Sequence, residues 1–170
     1  MKVIKAKRLS YSPCNRDKKE VQYIVIHYTA GNNDTAVGEG NYFKNVNTRN
    51  AGAHFFIDQK GDIVKSIALD RIAWAVGGSR YGDYKKTGGA KLYGVCRNAN
   101  SVSIELCDNL DKDPSLTQIK AVKKCIKHIR KYCPNATKVI RHFDVTGKHC
   151  PARMMDSSKW KKFLHDIGEK

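Results

Sequence analysis

Strand patterns and helix patterns alternate along this chain, and that alternation restricts its fold more than any other feature. VQYIVIHY, residues 21–28, is rich in β-branched and aromatic residues and reads as a strand. Its side chains alternate, so Tyr23, Val25 and His27 share one face and Ile24, Ile26 and Tyr28 the other. AHFFID (53–58) and GDIVKSI (61–67) read as two strands joined by a tight turn at 59–62. SVSIELC (101–107) puts Val102, Ile104 and Leu106 on one face and Ser103, Glu105 and Cys107 on the other, and KVI (138–140) is a further short strand. Helix patterns fall between and after these runs. Asp34 is a candidate cap for a short helix to about Val46, weakened by Gly38 and Gly40. Ser115 to Gln118 fits a capping box, and Ile119, Val122, Ile126, Ile129 and Cys133 follow it as an amphipathic stripe backed by Lys120, Lys123, Lys124, Lys127, Arg130 and Lys131. Trp160, Phe163, Leu164 and Ile167 mark a last helix, and residues 77–100 read as a long surface loop. The expected fold is α/β (α+β): one domain over 1–170, core about 20–165, with a central mixed β-sheet flanked by α-helices.

A chain of 170 residues with 41% hydrophobic content buries a real core and is not a disordered polymer. Lys and Arg number 32 against 16 Asp and Glu, a net charge of +16, which attracts polyanions: nucleic acid, an anionic cell wall or a membrane surface. No apolar run has the length of a membrane span or of a signal-peptide core. The six cysteines, 14, 96, 107, 125, 133 and 150, include no CxxC pair, and Cys125 and Cys133 lie eight residues apart in one helix pattern. Reduced thiols are expected, at least one of them a candidate metal ligand.

Three polar residues interrupt or closely follow the apolar patterns. His27 closes one strand, Glu105 lies inside another, and His142 follows the third in the stretch RHFDVTGKHCPAR, 141–153. Such breaks mark functional sites. Imidazole and thiolate together suit zinc, whose catalytic sites use three protein ligands and leave a fourth position open; His27, His142 and Cys150 make such a set. The gap of eight from 142 to 150 is not a short zinc-finger spacing, so the motif is weak alone. The competing readings are ordinary ones: a satisfied buried histidine at 27, a small core thiol at 150, a solvent-facing or Arg-paired Glu105, a solvated Lys148 and a core Trp74. His54 shares a strand face with Phe56 and belongs either to the core or to the wall of a groove, while His149, next to the proposed ligand, should point away from it.

Taken in order, IVIHYTAG, AGAHFFID, IAWAVGG, NANSVSIELC and RHFDVTGKHCP resemble the zinc-dependent N-acetylmuramoyl-L-alanine amidases shared by phage lysins, bacterial amidases and peptidoglycan recognition proteins. The resemblance covers roughly residues 20 to 165. It implies one Zn2+ held by His27, His142 and Cys150, where many relatives carry Asp in place of the cysteine. It also implies Glu105 as general base and Lys148 as stabiliser of the reaction's negative charge; His54 and Trp74 are this reading's own candidates for the substrate groove. Two departures stand out: Ala53 where some branches place a catalytic Tyr, and Ala75 where a His often follows the Trp. The implied reaction is hydrolysis of the lactyl amide between N-acetylmuramic acid and L-Ala of peptidoglycan, with cell-wall lysis as the result. Amide hydrolysis of this kind needs a polarised carbonyl, an activated water and an oxyanion donor.

The resemblance further implies a phage or prophage lysin, made in the cytoplasm without a signal peptide and acting on the bacterial wall after release. The basic helix face would then hold teichoic acid or another anionic wall polymer, unless the chain is the catalytic part of a longer lysin. Nucleic acid would bind only non-specifically. Three rival readings remain: a nucleic-acid-binding module with structural zinc, a cysteine hydrolase with Cys150 as nucleophile and His142 as base, and a peptidoglycan receptor that binds without cleaving.

Overall fold

The computed structural model describes residues 1–169. Its centre is a six-stranded mixed sheet built from β1 (Lys2–Val3), β3 (Tyr23–Tyr28), β4 (Phe55–Ile57), β5 (Ile63–Lys65), β7 (Ser101–Leu106) and β8 (Lys138–Arg141), in the order β1-β5-β4-β7-β3-β8. The pairs β4/β7, β7/β3, β3/β8 and β1/β5 run parallel and the hairpin β4/β5 antiparallel. A second, two-stranded sheet pairs β2 (Tyr11–Asn15) with β6 (Arg71–Ala73). The mixed α/β single domain is the expected one. Strands β1, β2 and β6 carry no sequence signal: each is short, and their neighbours rather than their own pattern define them.

The strands have two buried faces, as parallel strands do. On one, Ile24, Ile26, Val102, Ile104, Leu106, Phe55 and Ile57 pack against α3 (Leu116–Tyr132) and α5 (Ser157–Ile167). Those helices deliver the stripes read from the sequence: Val122, Ile126 and Ile129 from α3, Trp160, Phe163 and Ile167 from α5. On the other face, Tyr23 and Val25 meet Val76, Cys96 and Val145, while Phe56, Val64 and Cys107 meet Ile4 and Ala36. His27 and Glu105 belong to this second face by the period-two rule.

Local details differ from expectation in three places. The helix after β3 is capped by Thr35, whose hydroxyl accepts from the Gly38 amide; α1 (Ala36–Asn41) then widens into a π turn, Tyr42–Val46. Asp34 instead accepts from the Thr29 hydroxyl at 2.6 Å and the Asp108 amide at 2.6 Å, tying together the loops that leave β3 and β7. At the start of α3, Ser115 accepts from the Gln118 amide, but the Gln118 side chain turns inward to Ile57, Cys107 and Asn109, so the box is half formed. The 77–100 segment holds a short helix, α2 (Tyr84–Thr87), and one 3-10 turn, Asn98–Asn100. All six cysteines are free thiols.

Candidate metal centre and substrate groove

His27 and Glu105 lie near the carboxyl ends of β3 and β7, where open α/β sheets place their ligands. The strand register makes them direct partners. His142 is the first residue of α4 (His142–Thr146), which starts as β8 ends. Its position is anchored by Arg141, whose guanidinium pairs with Asp144 at 2.8 Å and donates to the Met154 carbonyl at 2.9 Å. Gly147 ends α4 with φ 81°, a left-handed turn that suits glycine, and the chain doubles back. The Phe143 amide then donates to the Cys150 carbonyl at 2.9 Å, closing the loop and returning Cys150 to His142.

His27, His142 and Cys150 converge. One ligand atom from each lies within 4.8 Å of the others, the Cys150 Sγ is 3.9 Å from His27 Nδ1, and the imidazole centroids are 4.6 Å apart. Tetrahedral zinc with bonds of about 2.0–2.3 Å needs ligand separations on the order of 3.5 Å, so a small contraction brings the three onto one ion. All three are buried. Nε2 of His27, both ring nitrogens of His142 and Oε2 of Glu105 are buried without hydrogen-bond partners. An unpaired buried polar atom costs about 1–3 kcal/mol, and an ion taking one nitrogen from each ring, with its water beside Glu105, would satisfy part of this cluster.

Electrostatics agree with that donor set. Burial, followed by His142 and Lys148, holds His27 well below the usual imidazole range; burial and Lys148 bring His142 down to about 4. Both rings are therefore neutral at pH 7, with lone pairs to offer. Burial, with Glu105 nearby, pushes the Cys150 thiol up to about 12, and a coordinated cation is what deprotonates such a thiol. Burial also raises Glu105 to about 8, against the pull of Lys148, so without an ion this carboxyl is mostly protonated at pH 7; a cation held by the three donors beside it would favour the ionised form that can accept a proton.

These residues form one end of a groove of about 520 Å³. Lys148 reaches it from the exposed loop before Cys150, and Trp74 lines it half-buried. His54 does not. It is 1% exposed; its Nδ1 accepts from the Ser103 amide at 3.1 Å, so Nε2 carries the proton and donates to the Arg71 carbonyl at 3.1 Å, with the Arg16 guanidinium packed 2.9 Å away. The groove-wall reading of His54 is corrected: it is a fully engaged core histidine, and Phe56 rather than His54 faces the groove. His149 points away, pairing with Asp83 at 2.9 Å.

The far wall was not legible in the sequence. It comes from α1 and the loop after it: Glu39, Tyr42, Phe43 and Arg49. The buried Asn47 braces that loop, donating to the carbonyls of Arg49 and Ala51 at 2.9 Å each and to Ser10 Oγ at 3.1 Å. Glu39 breaks no apolar pattern, and only the fold aims it inward.

Comparisons with known proteins agree with this architecture. CwlA of Bacillus subtilis (strain 168), an N-acetylmuramoyl-L-alanine amidase, is 30% identical over 145 residues, covering 83% of this chain and 47% of that protein. CwlL of Bacillus licheniformis, of the same description, is 29% identical, covering 86% of this chain and 41% of that one. The chain thus spans less than half the length of these relatives. Among solved structures, the catalytic domain of XlyA superposes with a TM-score of 0.72 at 23% identity, over 98% of both chains. The E90A mutant of PlyL gives 0.74 at 21%, over 100% of this chain and 99% of that one; both likenesses speak for the fold. The Amidase_2 family, described as N-acetylmuramoyl-L-alanine amidase, matches residues 17–153, and the chain belongs to that family.

Proposed function

We propose that this chain is a zinc-dependent N-acetylmuramoyl-L-alanine amidase that cuts the amide between N-acetylmuramic acid and L-Ala of bacterial peptidoglycan. The observation that carries this reading is the convergence of three buried donor atoms, on His27, His142 and Cys150, beside the unpartnered Glu105 carboxyl. Family membership supplies the substrate class.

His27, His142 and Cys150 hold the ion. When bound, zinc polarises the amide carbonyl and makes water a competent nucleophile near neutral pH. Glu105 takes the proton of the attacking water and hands it to the departing L-Ala nitrogen. Lys148, with no carboxylate partner among the described residues, sets its ammonium toward the oxyanion that forms on the carbonyl oxygen. Trp74 and the wall of Tyr42 and Phe43 orient the substrate along the groove. Ala53 is buried beside the sheet and offers no second acid or base, which leaves proton transfer to Glu105.

The cysteine-hydrolase reading fits poorly. A nucleophilic cysteine needs a lowered thiol pKa and an accessible sulfur. Cys150 is 2% exposed, its thiol is pushed up, and the imidazole within hydrogen-bond distance of its sulfur is His27, not the His142 that this reading needs as base.

The test is hydrolysis of purified peptidoglycan by the protein as isolated, after chelation and after zinc is restored, with new amino ends and new reducing ends counted. Zinc-restorable release of L-Ala amino ends without new reducing sugar is expected. Binding to the wall with no zinc-restorable cleavage would make the chain a receptor, and new reducing ends would mean a different bond.

A further inference from the structure

The charge of this molecule has a location. Helix α3 carries six basic residues and not one acidic residue. Lys120, Lys123, Lys124, Lys127 and Lys131 are exposed, and none has an ion-pair partner among the described residues. Arg130 differs: it is half-buried and pairs with Glu169 at 2.6 Å. Lys120, Lys124, Lys127 and Lys131 are spaced 4, 3 and 4 residues apart, which sets them in one row along the helix, one cation per turn of about 5.4 Å. Like charges at such spacings repel, and no Glu or Asp is interleaved to relieve them.

The surroundings make this row a surface rather than a ridge. A hollow of about 660 Å³ lies along one side, lined by Lys2, Lys120 and Lys124 with Asp62; another of about 480 Å³ lies along the other, lined by Lys123, Lys127 and Arg130 with Glu169. Cations outnumber acids in both. The position is equally specific. The apolar side of α3 packs on the sheet face of Ile24, Ile26, Val102 and Ile104, opposite the face that bears His27 and Glu105. A polymer held on the lysine row leaves the groove open.

We propose that the Lys120–Lys124–Lys127–Lys131 row is a binding surface for a linear polyanion of repeating phosphodiesters, the polymer carried by bacterial walls. A regular line of ammonium groups complements a chain with one negative charge per repeat, and the binding is ionic and reads no sequence. The wall as the place of action rests on the amidase reading; the lysine row itself does not. The surface attaches the enzyme to the wall by its back while the groove on the opposite face engages the stem peptide.

The experiment compares the full chain with a variant in which Lys120, Lys124, Lys127 and Lys131 are changed to Gln. Both are measured for co-sedimentation with purified Gram-positive walls, intact or stripped of phosphate polymer by hydrofluoric acid. Cleavage of a small soluble muropeptide and thermal unfolding are followed in parallel. The expected result is that the variant binds intact walls about 10-fold or more weakly, with a shallower salt dependence. It binds stripped walls as the parent does, cleaves muropeptide at the parental rate and unfolds at the same temperature or higher. Equal binding of both proteins to intact walls overturns the proposal, as does an equal loss on stripped walls. Tight binding of the parent to a polynucleotide with no preference for intact over stripped walls also overturns it, making the row a nucleic-acid surface. Absence of muropeptide cleavage by both proteins, with the binding difference intact, would sink the amidase reading and leave this one standing.

Discussion

His27 and Glu105 are register partners on adjacent parallel strands, β3 and β7, and both face the groove. One hydrogen-bonded step of the sheet therefore sets the distance between a metal-ligand candidate and its nearest carboxyl. Neither side chain relies on a flexible loop. Shifting either strand by one residue would turn its functional side chain into the opposite core.

That rigidity makes the two neighbours of the metal site separable by mutation. Glu105→Gln keeps the shape and removes the proton acceptor. It should retain zinc, measured by elemental analysis, and lose about 100-fold or more in turnover. Lys148→Met should also retain zinc and lose on the order of 100-fold in kcat, because it removes an oxyanion donor. Loss of zinc from either variant would place that residue in the metal shell instead.

Cys150 should govern both metal affinity and stability. Zinc bound to the native state alone raises the unfolding temperature, by an amount equivalent to about 2.7 kcal/mol at 100 times the dissociation constant. Calorimetry with and without zinc should show that shift in the parent chain and its disappearance in Cys150→Ala. Cys150→Asp, which supplies a hard anionic oxygen, should recover part of it. A zinc-dependent shift of full size in the alanine variant would remove Cys150 from the ligand set.

Glu39 should make stability depend on pH. Burial, with Asp34 nearby, raises its carboxyl from 4.5 to about 7. The folded chain therefore binds this proton more tightly than the unfolded chain between those values. Stability from this group is fully present below pH 4.5, falls as pH rises through the window and is flat above about 7. Glu39→Gln should gain stability relative to the parent across that window and hold the gain at pH 8, measured by denaturant unfolding at both ends. An identical pH profile in the two proteins would mean that the carboxyl is solvated.

Gln118 should matter as a seam. Its buried amide donates to the Ile57 and Cys107 carbonyls at 2.9 and 3.1 Å, bridging the ends of β4 and β7 from within α3. Gln118→Leu leaves the Cys107 carbonyl unpaired in the interior, while the Ile57 carbonyl keeps the Cys107 amide at 2.9 Å, and should destabilise the domain by about 1–3 kcal/mol, seen as a lower denaturant midpoint. A variant as stable as the parent would show that water reaches the seam.

The apolar alternation of 21–28 and 101–107 and the stripe from Ile119 to Ile129 determined by themselves the two central strands, their inward faces and the long helix behind them. Hydrophobic periodicity is local information, readable wherever an element is long enough to show it. His27, Glu105 and His142 were legible for a related reason: each sits where a strand pattern breaks. Tertiary structure alone decided the remainder. The two-residue β1 and the three-residue β6 exist through their neighbours, and no local pattern announces them. The sequence left His54 between core and groove wall, and the Arg71 carbonyl and Ser103 amide that close around it place it in the core. Glu39 and Arg49 entered the groove because α1 and the loop after it, braced by Asn47, fold over the sheet. Cys150 reaches His27 across 123 residues of sequence through the bend at Gly147. A local pattern encodes which face of an element is buried; it does not encode what distant part of the chain is buried against it, and that contact is what makes a site.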